Sequence, residues 1–135
     1  MSGKKYHFIV VDDSKLDCFV AEKVIKNSGR ALKVKSFLEP EKALAYVAET
    51  AIPEVDNTII ILDIQMPVMN GHQFVEAFER LAQNIQDHYT IYMISSSSNP
   101  SDLNRIANYK SVKQFSNKSI TKDLILEFLK GLDLP

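Results

Sequence analysis

Hydrophobic residues in this chain occur in short runs that alternate with longer amphipathic stretches. Tyr6–Val11 and Thr58–Leu62 are nearly continuous apolar runs rich in β-forming residues, which is typical of strands buried on both faces. Leu32–Leu38 is more mixed in polarity and predicts a strand nearer the edge of a sheet. Ile91–Ile94 and Val112–Phe115 complete a set of five predicted strands.

Amphipathic stretches after each strand predict five helices. Their boundaries are marked by residues that favour helix ends: Asn or Thr as caps, proline in the first turn and glycine at the stop. These marks are Ser28-Gly29 after the first helix, Pro40 at the start of the second, Asn70-Gly71 before the third, Asn99 and Pro100 before a fourth that runs to about Tyr109, and Thr121 and Gly131 around the fifth. The apolar stripes are Leu16, Phe19, Val20 and Val24 in the first helix, Ala43, Leu44 and Val47 in the second, Phe74, Phe78 and Leu81 in the third, and Leu124, Ile125, Phe128 and Leu129 in the fifth.

The alternation of strands and helices indicates an α/β fold, because consecutive parallel strands must be joined by crossovers. A length of 135 residues suits one domain, spanning residues 1–135. The size fits a flavodoxin-like, five-stranded doubly wound sheet with strand order 2-1-3-4-5. The order is chosen among known solutions, since the pattern alone does not determine it.

The composition argues against several classes of function. Lys and Arg number 16 against 17 Asp and Glu, so the net charge of −1 gives no overall field for nucleic acid or an anionic membrane, and we expect neither as a direct partner. Cys18 is the single cysteine, which rules out an intramolecular disulfide and any multi-cysteine metal site. No stretch reaches the ~18 apolar residues of a membrane span. These features predict a cytoplasmic protein.

Polar residues whose side chains can bind ligands or react lie where the predicted strands end. Asp12 and Asp13 lie at the end of the first predicted strand, Asp63 at the end of the third and Ser95 at the end of the fourth. Lys118 follows the fifth strand. In open parallel sheets, ligands bind beyond the carboxyl ends of the strands. Three carboxylates, a hydroxyl and an ammonium are therefore expected at one edge of the sheet.

The combination of three carboxylates, a hydroxyl and an ammonium has a physical explanation. Three carboxylates a few ångströms apart repel one another unless a cation shares the site. Ligands that are all oxygen suit Mg²⁺ better than a soft metal. A carboxylate can also act as a nucleophile and carry a phosphoryl group, whose charge a metal ion and a lysine would offset.

The same residues, in this order, resemble the receiver domains of bacterial two-component response regulators, in particular stand-alone chemotaxis-type regulators. The resemblance rests on Asp12-Asp13, on Leu62-Asp63-Ile64-Gln65-Met66-Pro67 followed by Asn70-Gly71, on Ser95 and on Lys118. It covers most of the chain, from about Tyr6 to Leu132.

The resemblance implies a role for each matching acidic position. Asp63 would be the phosphoacceptor. Asp13 would bind Mg²⁺ directly, and Asp12 would assist largely through metal-bound water. The backbone carbonyl of Gln65, together with Asp63 itself, would complete the protein's share of the metal shell.

Three further positions carry implied roles. Lys118 would pair with the phosphoryl oxygens, Ser95 would swing toward the phosphate after transfer, and Phe115 would move inward with it. Receiver domains usually have proline after the lysine, in a cis peptide, whereas this chain has Ser119. A cis bond there would cost about 2.5–4 kcal/mol, so the peptide is either strained or the loop follows another path.

Each of these residues also has a purely structural interpretation. Asp12 is as well suited to capping the first helix as to a metal site. Ser95–Ser98 could form only a polar loop, and Phe115 could be ordinary core. The three histidines form no ligand spacing, and Cys18 is better explained as a small core residue than as a reactive thiol.

The leading functional hypothesis is a signalling switch rather than an enzyme acting on an external substrate. Its phosphoryl donor would be a phosphohistidine on a sensor histidine kinase or histidine phosphotransfer protein. Its output would be a changed surface formed by the fourth predicted helix, the fifth strand and the fifth helix, read by a downstream protein. The alternative is a receiver-like module that binds partners independently of phosphorylation. A magnesium-dependent phosphatase is weaker, because the Asp63–Pro67 loop has no second acidic residue.

Overall fold

A computed structural model describes residues 5–49, 58–64, 69–94, 104–117 and 120–133, and the fold is given for those residues. The strands are β1 (Tyr6–Val11), β2 (Ala31–Phe37), β3 (Thr58–Asp63), β4 (Tyr89–Ile94) and β5 (Val112–Ser116). The helices are α1 (Lys15–Asn27), α2 (Pro40–Glu49), α3 (Gly71–Phe78), α4 (Gln83–Gln86) and α5 (Lys122–Asp133). Residues 104–106 are also helical.

The five strands form one parallel sheet in the order β2-β1-β3-β4-β5. This confirms the predicted doubly wound, flavodoxin-like topology and the position of β2 at an edge. The exposed side chains of β2 include Lys33 and Lys35, and lysines on an edge strand discourage pairing with another chain.

Alternate residues of the central strands feed two hydrophobic clusters, one on each face of the sheet. Ile60 and Leu62 belong to the cluster covered by α2 and α3, whereas Ile59 and Ile61 belong to the cluster covered by α1 and α5. Tyr92 anchors α5 to β4, because its ring stacks on Phe128 at 4.3 Å and its hydroxyl donates to the Phe128 carbonyl at 2.8 Å.

The apolar stripe predicted for the first helix points away from the core. Leu16, Phe19 and Val20 are 70%, 58% and 42% exposed, and only Val24 packs partly against the cluster beneath α1. The buried face instead consists of small or offset residues, namely Cys18, Ala21 and Ile25. Both stripes follow helical periodicity, so the pattern alone favoured the larger side chains, which was wrong.

Three other helix details differ from the sequence prediction. The short helix α4 was not predicted, because four residues with one apolar side chain carry no periodic signal. Helix α3 ends at Phe78, before Leu81, and α5 continues through Gly131 to Asp133. The predicted stop of the first helix is confirmed, since Gly29 has a positive φ of 76° just past its end.

The predicted helix from Asn99 to about Tyr109 is described only from residue 104 onward, and its predicted start lies outside the described residues. The predicted end is wrong, because the helix stops at residue 106 and a turn follows at 107–108. Among the helices that are described, none is long and apolar enough to cross a bilayer.

Candidate functional site

Three carboxylates meet at the carboxyl edge of the sheet. β1 and β3 are neighbours, and Val11 pairs with Leu62, so the next residues, Asp12 and Asp63, lie side by side where the two strands end. One carboxylate oxygen from each of Asp12, Asp13 and Asp63 can be chosen so that all three lie within 4.8 Å of one another. Asp12 and Asp63 are half-buried and Asp13 is exposed. The structure thus brings together the three acidic residues that the sequence placed here.

The backbone around Asp12 is fixed by several hydrogen bonds. Its N–H donates to the Phe37 carbonyl of β2 at 3.1 Å, and its carbonyl accepts the Cys18 thiol at 3.3 Å. Its side-chain Oδ1 accepts the N–H of Ser14 at 2.9 Å. The cap of α1 is Ser14, whose hydroxyl accepts the Asp17 N–H at 3.2 Å. The capping role considered for Asp12 is therefore wrong, and the Ser-x-x-Asp spacing is the sequence signal that identifies the true cap.

Cys18 is confirmed as a core residue. Its side chain is buried, and burial, followed by the charges of Asp12 and Glu22, raises the pKa of the thiol to about 11. A thiol with so high a pKa holds little reactive thiolate near neutrality.

The local electrostatics disfavour full ionisation of the cluster. Burial raises the pKa of the Asp12 carboxyl above its usual value, and the charges of Asp17 and Asp13 act in the same direction. The hydrogen bond from Ser14 opposes this rise without cancelling it. A cation shared by the three carboxylates would remove the repulsion. Because every donor is a carboxylate oxygen, the residues present fit a hard ion such as Mg²⁺.

Helix α3 begins in direct contact with the loop that follows Asp63. The Gly71 N–H donates to the Ile64 carbonyl at 2.8 Å. A Cβ at Gly71 would lie 2.8 Å from the Asp63 carbonyl oxygen and 2.8 Å from the Ile64 Cα. Only glycine permits this approach of two backbones. The sequence marked Asn70-Gly71 as a helix start, but the close approach has no local signal.

Gly71→Ala is expected to destabilise the chain by about 1–3 kcal/mol, because both atoms it would meet belong to the backbone and cannot swing aside. Gly131→Ala is the matched control, since the added methyl would meet only the flexible Lys113 side chain, at 3.7 Å. Alanine at that helical position is expected to leave stability unchanged or raise it by up to ~1 kcal/mol. Urea unfolding of both variants measures the difference, and equal midpoints would contradict the steric argument.

Three predicted site residues, Gln65, Ser95 and Lys118, lie outside the described residues, as does the Lys118-Ser119 peptide. Phe115 is described. It lies on β5, is half-buried, and packs against the hydrophobic cluster beneath α2 and α3. Its predicted switching role stays a prediction.

A doubly wound parallel sheet with three carboxylates at its carboxyl edge defines an α/β protein with an acidic, Mg²⁺-compatible site. The family model of the response regulator receiver domain matches residues 8–130. The chain belongs to the receiver domain family of two-component response regulators.

Solved structures are consistent with this family. A response regulator receiver protein from Dyadobacter fermentans is 30% identical, with a TM-score of 0.84 over 93% of this chain and 96% of its own. A chemotaxis protein of Vibrio cholerae is 24% identical, with a TM-score of 0.75 over 96% and 99% of the two chains. The receiver domain of a sensor histidine kinase from Pseudomonas aeruginosa, 13% identical with a TM-score of 0.74 over 94% and 96%, contains a magnesium ion in its active-site cleft.

A search among curated proteins gave no match. Membership of the receiver family makes the chain a signalling module of two-component systems, with a role that phosphorylation activates.

Proposed function

We propose that this chain is a receiver switch in which Asp63 accepts a phosphoryl group from a phosphohistidine. The observation that carries the proposal is the convergence of Asp12, Asp13 and Asp63, with one oxygen of each within 4.8 Å, in a chain of the receiver family. We treat residues 1–135 as one receiver domain.

The proposed reaction is a nucleophilic displacement at phosphorus. A carboxylate oxygen of Asp63 forms a new O–P bond as the P–N bond of the phosphohistidine breaks, and the electron pair of that bond stays on the imidazole nitrogen, which takes up a proton. Asp63 is suited to this role because it ends a strand whose preceding residues are fully buried, so its position is rigid. Hydrolysis of the aspartyl phosphate by water would reset the switch.

The neighbouring residues would offset the charge of the transferred group. Asp12, Asp13, Asp63 and the carbonyl of Gln65 would hold Mg²⁺, which when bound neutralises negative charge on the phosphoryl oxygens. Lys118 would pair with those oxygens.

Phosphorylation would be read through the surface next to β5. In this proposal Ser95 turns toward the phosphate and Phe115 moves inward, which changes the face formed by β5, α5 and the helix that includes residues 104–106. The half-buried position of Phe115 supports this, because its ring has exposed area that an inward movement would bury. The output is binding to a downstream protein.

We further propose that the donor docks on the outer face of α1. Leu16, Phe19 and Val20 form an exposed apolar stripe on a helix that starts two residues after Asp13. Any protein that brings a phosphohistidine to Asp63 must approach this edge of the sheet. Clustered exposed apolar side chains commonly mark such contacts.

Phe19→Ala is expected to slow phosphotransfer from a phosphohistidine donor protein about tenfold, as removal of a central aromatic anchor typically does. Phosphorylation by acetyl phosphate, which needs no docking, should not change. Leu32→Ala is the matched control, because Leu32 is 53% exposed but lies near the amino end of β2, away from the acidic edge. Equal slowing by both variants, or slowing with acetyl phosphate, would argue against a donor surface on α1.

The function itself is tested by incubating the chain with acetyl phosphate in the presence and absence of Mg²⁺. Intact mass should increase by one phosphoryl group only with Mg²⁺, and peptide mapping should place the alkali-labile group on Asp63. A chain that gains no phosphate from either acetyl phosphate or a phosphohistidine donor would contradict the proposal.

A further inference from the structure

One polar face of α3 makes hydrogen bonds to residues 104–111, here called the 104–111 segment. Glu76 Oε2 accepts the Tyr109 hydroxyl at 2.8 Å and the Arg105 guanidinium at 2.9 Å. His72 Nδ1 lies 3.2 Å from the same hydroxyl. Since the hydroxyl hydrogen is donated to the carboxylate, His72 contributes the N–H of this contact.

The carboxyl end of α3 holds the end of the segment. Glu79, three residues after Glu76, is the C-cap of α3. Its Oε2 accepts both the backbone N–H and the hydroxyl of Ser111, at 2.9 and 2.7 Å. Ser111 directly precedes β5, and its carbonyl accepts the Ile91 N–H of β4 at 3.2 Å.

These contacts link two parts of the proposed switch. α3 starts against the loop after Asp63 through Gly71, and the segment it holds leads into β5, which carries Phe115. Tyr109 and Phe115 pack against the same hydrophobic cluster.

We propose that the bonds from α3 to Tyr109 and Ser111 form a latch that holds the 104–111 segment in its unphosphorylated position and so limits how readily the switch responds. The inference rests on the proposed phosphorylation of Asp63. It assigns a regulatory role to the side chains of His72, Glu76, Glu79 and Tyr109, none of which touches the acidic cluster in the proposed chemistry.

The two contacts of the Tyr109 hydroxyl carry most of the latch. Arg105 and Glu76 are 48% and 41% exposed, and an ion pair so open to solvent contributes little. The Tyr109 hydroxyl is bonded on one side by a buried histidine and on the other by a carboxylate, a stronger arrangement. Burial and the bond to Glu76 raise the pKa of Tyr109 to about 12, so the hydroxyl keeps its proton throughout the physiological range.

Tyr109 and Phe115 pack against the same hydrophobic cluster, so in this proposal an inward movement of Phe115 displaces the ring of Tyr109. While the Tyr109 hydroxyl is held, its ring cannot shift without breaking two polar contacts. Releasing it therefore lowers the free energy needed to reach the phosphorylated arrangement, and the population of that arrangement rises before any phosphate is present.

The test is Tyr109→Phe, which keeps the ring and removes only the hydroxyl. Backbone hydrogen exchange of the unphosphorylated chain should accelerate about tenfold at Tyr109 and Ser111. The initial rate of phosphorylation by acetyl phosphate with Mg²⁺ should rise several-fold. Tyr46→Phe, the same change on α2, is the control and should alter neither quantity.

The possible results distinguish a failure of the latch from a failure of the proposed phosphorylation of Asp63. If the wild type is phosphorylated but Tyr109→Phe matches it within twofold in exchange, the latch is wrong. Faster exchange without faster phosphorylation also overturns the proposal, because the contacts would then be structural only. A wild type that takes no phosphate disproves the function, and the regulatory role of the latch falls with it, whatever exchange shows.

Discussion

Asp63→Asn is expected to abolish phosphorylation by acetyl phosphate and Mg²⁺, reducing the rate to below about one thousandth of the wild-type value. Asparagine has almost the same shape as aspartate, so the end of β3 should keep its structure. Its neutral amide lacks the anionic oxygen that attacks phosphorus. Intact-mass measurement over time gives the rate for both proteins.

Asp17→Asn provides the matched control for this loss. Asp17 is an exposed carboxylate in the first turn of α1, close enough to influence the pKa of Asp12. Its neutralisation should leave phosphorylation within about twofold, because Asp17 is not in the acidic cluster. If Asp63→Asn gains as much phosphate as the wild type, Asp63 is not the acceptor. Partner binding that does not change in Asp63→Asn would instead support the phosphorylation-independent module.

The strand-end argument explains why the acidic cluster was predictable from sequence. Near-continuous apolar runs locate β1 and β3, and the polar residue that ends each run must lie at one edge of a parallel sheet. Asp12, Asp13 and Asp63 follow from that rule before any distance is known. The order of the strands needed a choice among known folds, because local pattern does not encode which strands become neighbours.

The orientation of α1 could not be predicted in this way. A stripe of Leu16, Phe19 and Val20 and a stripe of Cys18, Ala21 and Ile25 both repeat with helical spacing. Hydrophobicity ranks the first stripe higher, yet the helix buries the second. The exposed stripe of Leu16, Phe19 and Val20 is the surface on which the proposed phosphoryl donor would dock.

Contacts between distant parts of the chain also escaped prediction. Tyr109 and Glu76 are 33 residues apart, and neither has a neighbour in sequence that signals the hydrogen bond between them. His72, one of the three histidines that form no ligand spacing in the sequence, is buried. The close approach of Gly71 to Asp63 similarly depends on how α3 meets the sheet, which no local pattern encodes.

Asp13→Asn is expected to remove most of the stabilisation that Mg²⁺ gives the wild type. An ion present at ten times its dissociation constant stabilises the folded state by about 1.4 kcal/mol, and a chain that binds it weakly loses this gain. Asp12→Asn should retain more of the Mg²⁺ response, since its proposed contact is through water. Melting curves with and without Mg²⁺ measure the difference, and a full wild-type response in both variants would refute the metal site.

Without metal, the same substitutions are expected to stabilise the chain, which distinguishes charge repulsion from loss of structure. Two like charges about 5 Å apart repel by about 1 kcal/mol even in water-like surroundings, so Asp12→Asn should raise the melting temperature near neutral pH by about 2–5 °C. The asparagine oxygen can still accept the Ser14 N–H.

Because folding raises the pKa of Asp12, the folded state binds its proton more tightly, and the penalty of the charged form is present above that raised pKa. The advantage of Asp12→Asn should therefore shrink as pH falls through the raised pKa toward the ordinary value of 3.8, where the carboxyl becomes protonated in both states. An advantage that persists unchanged at low pH would mean that charge is not its cause.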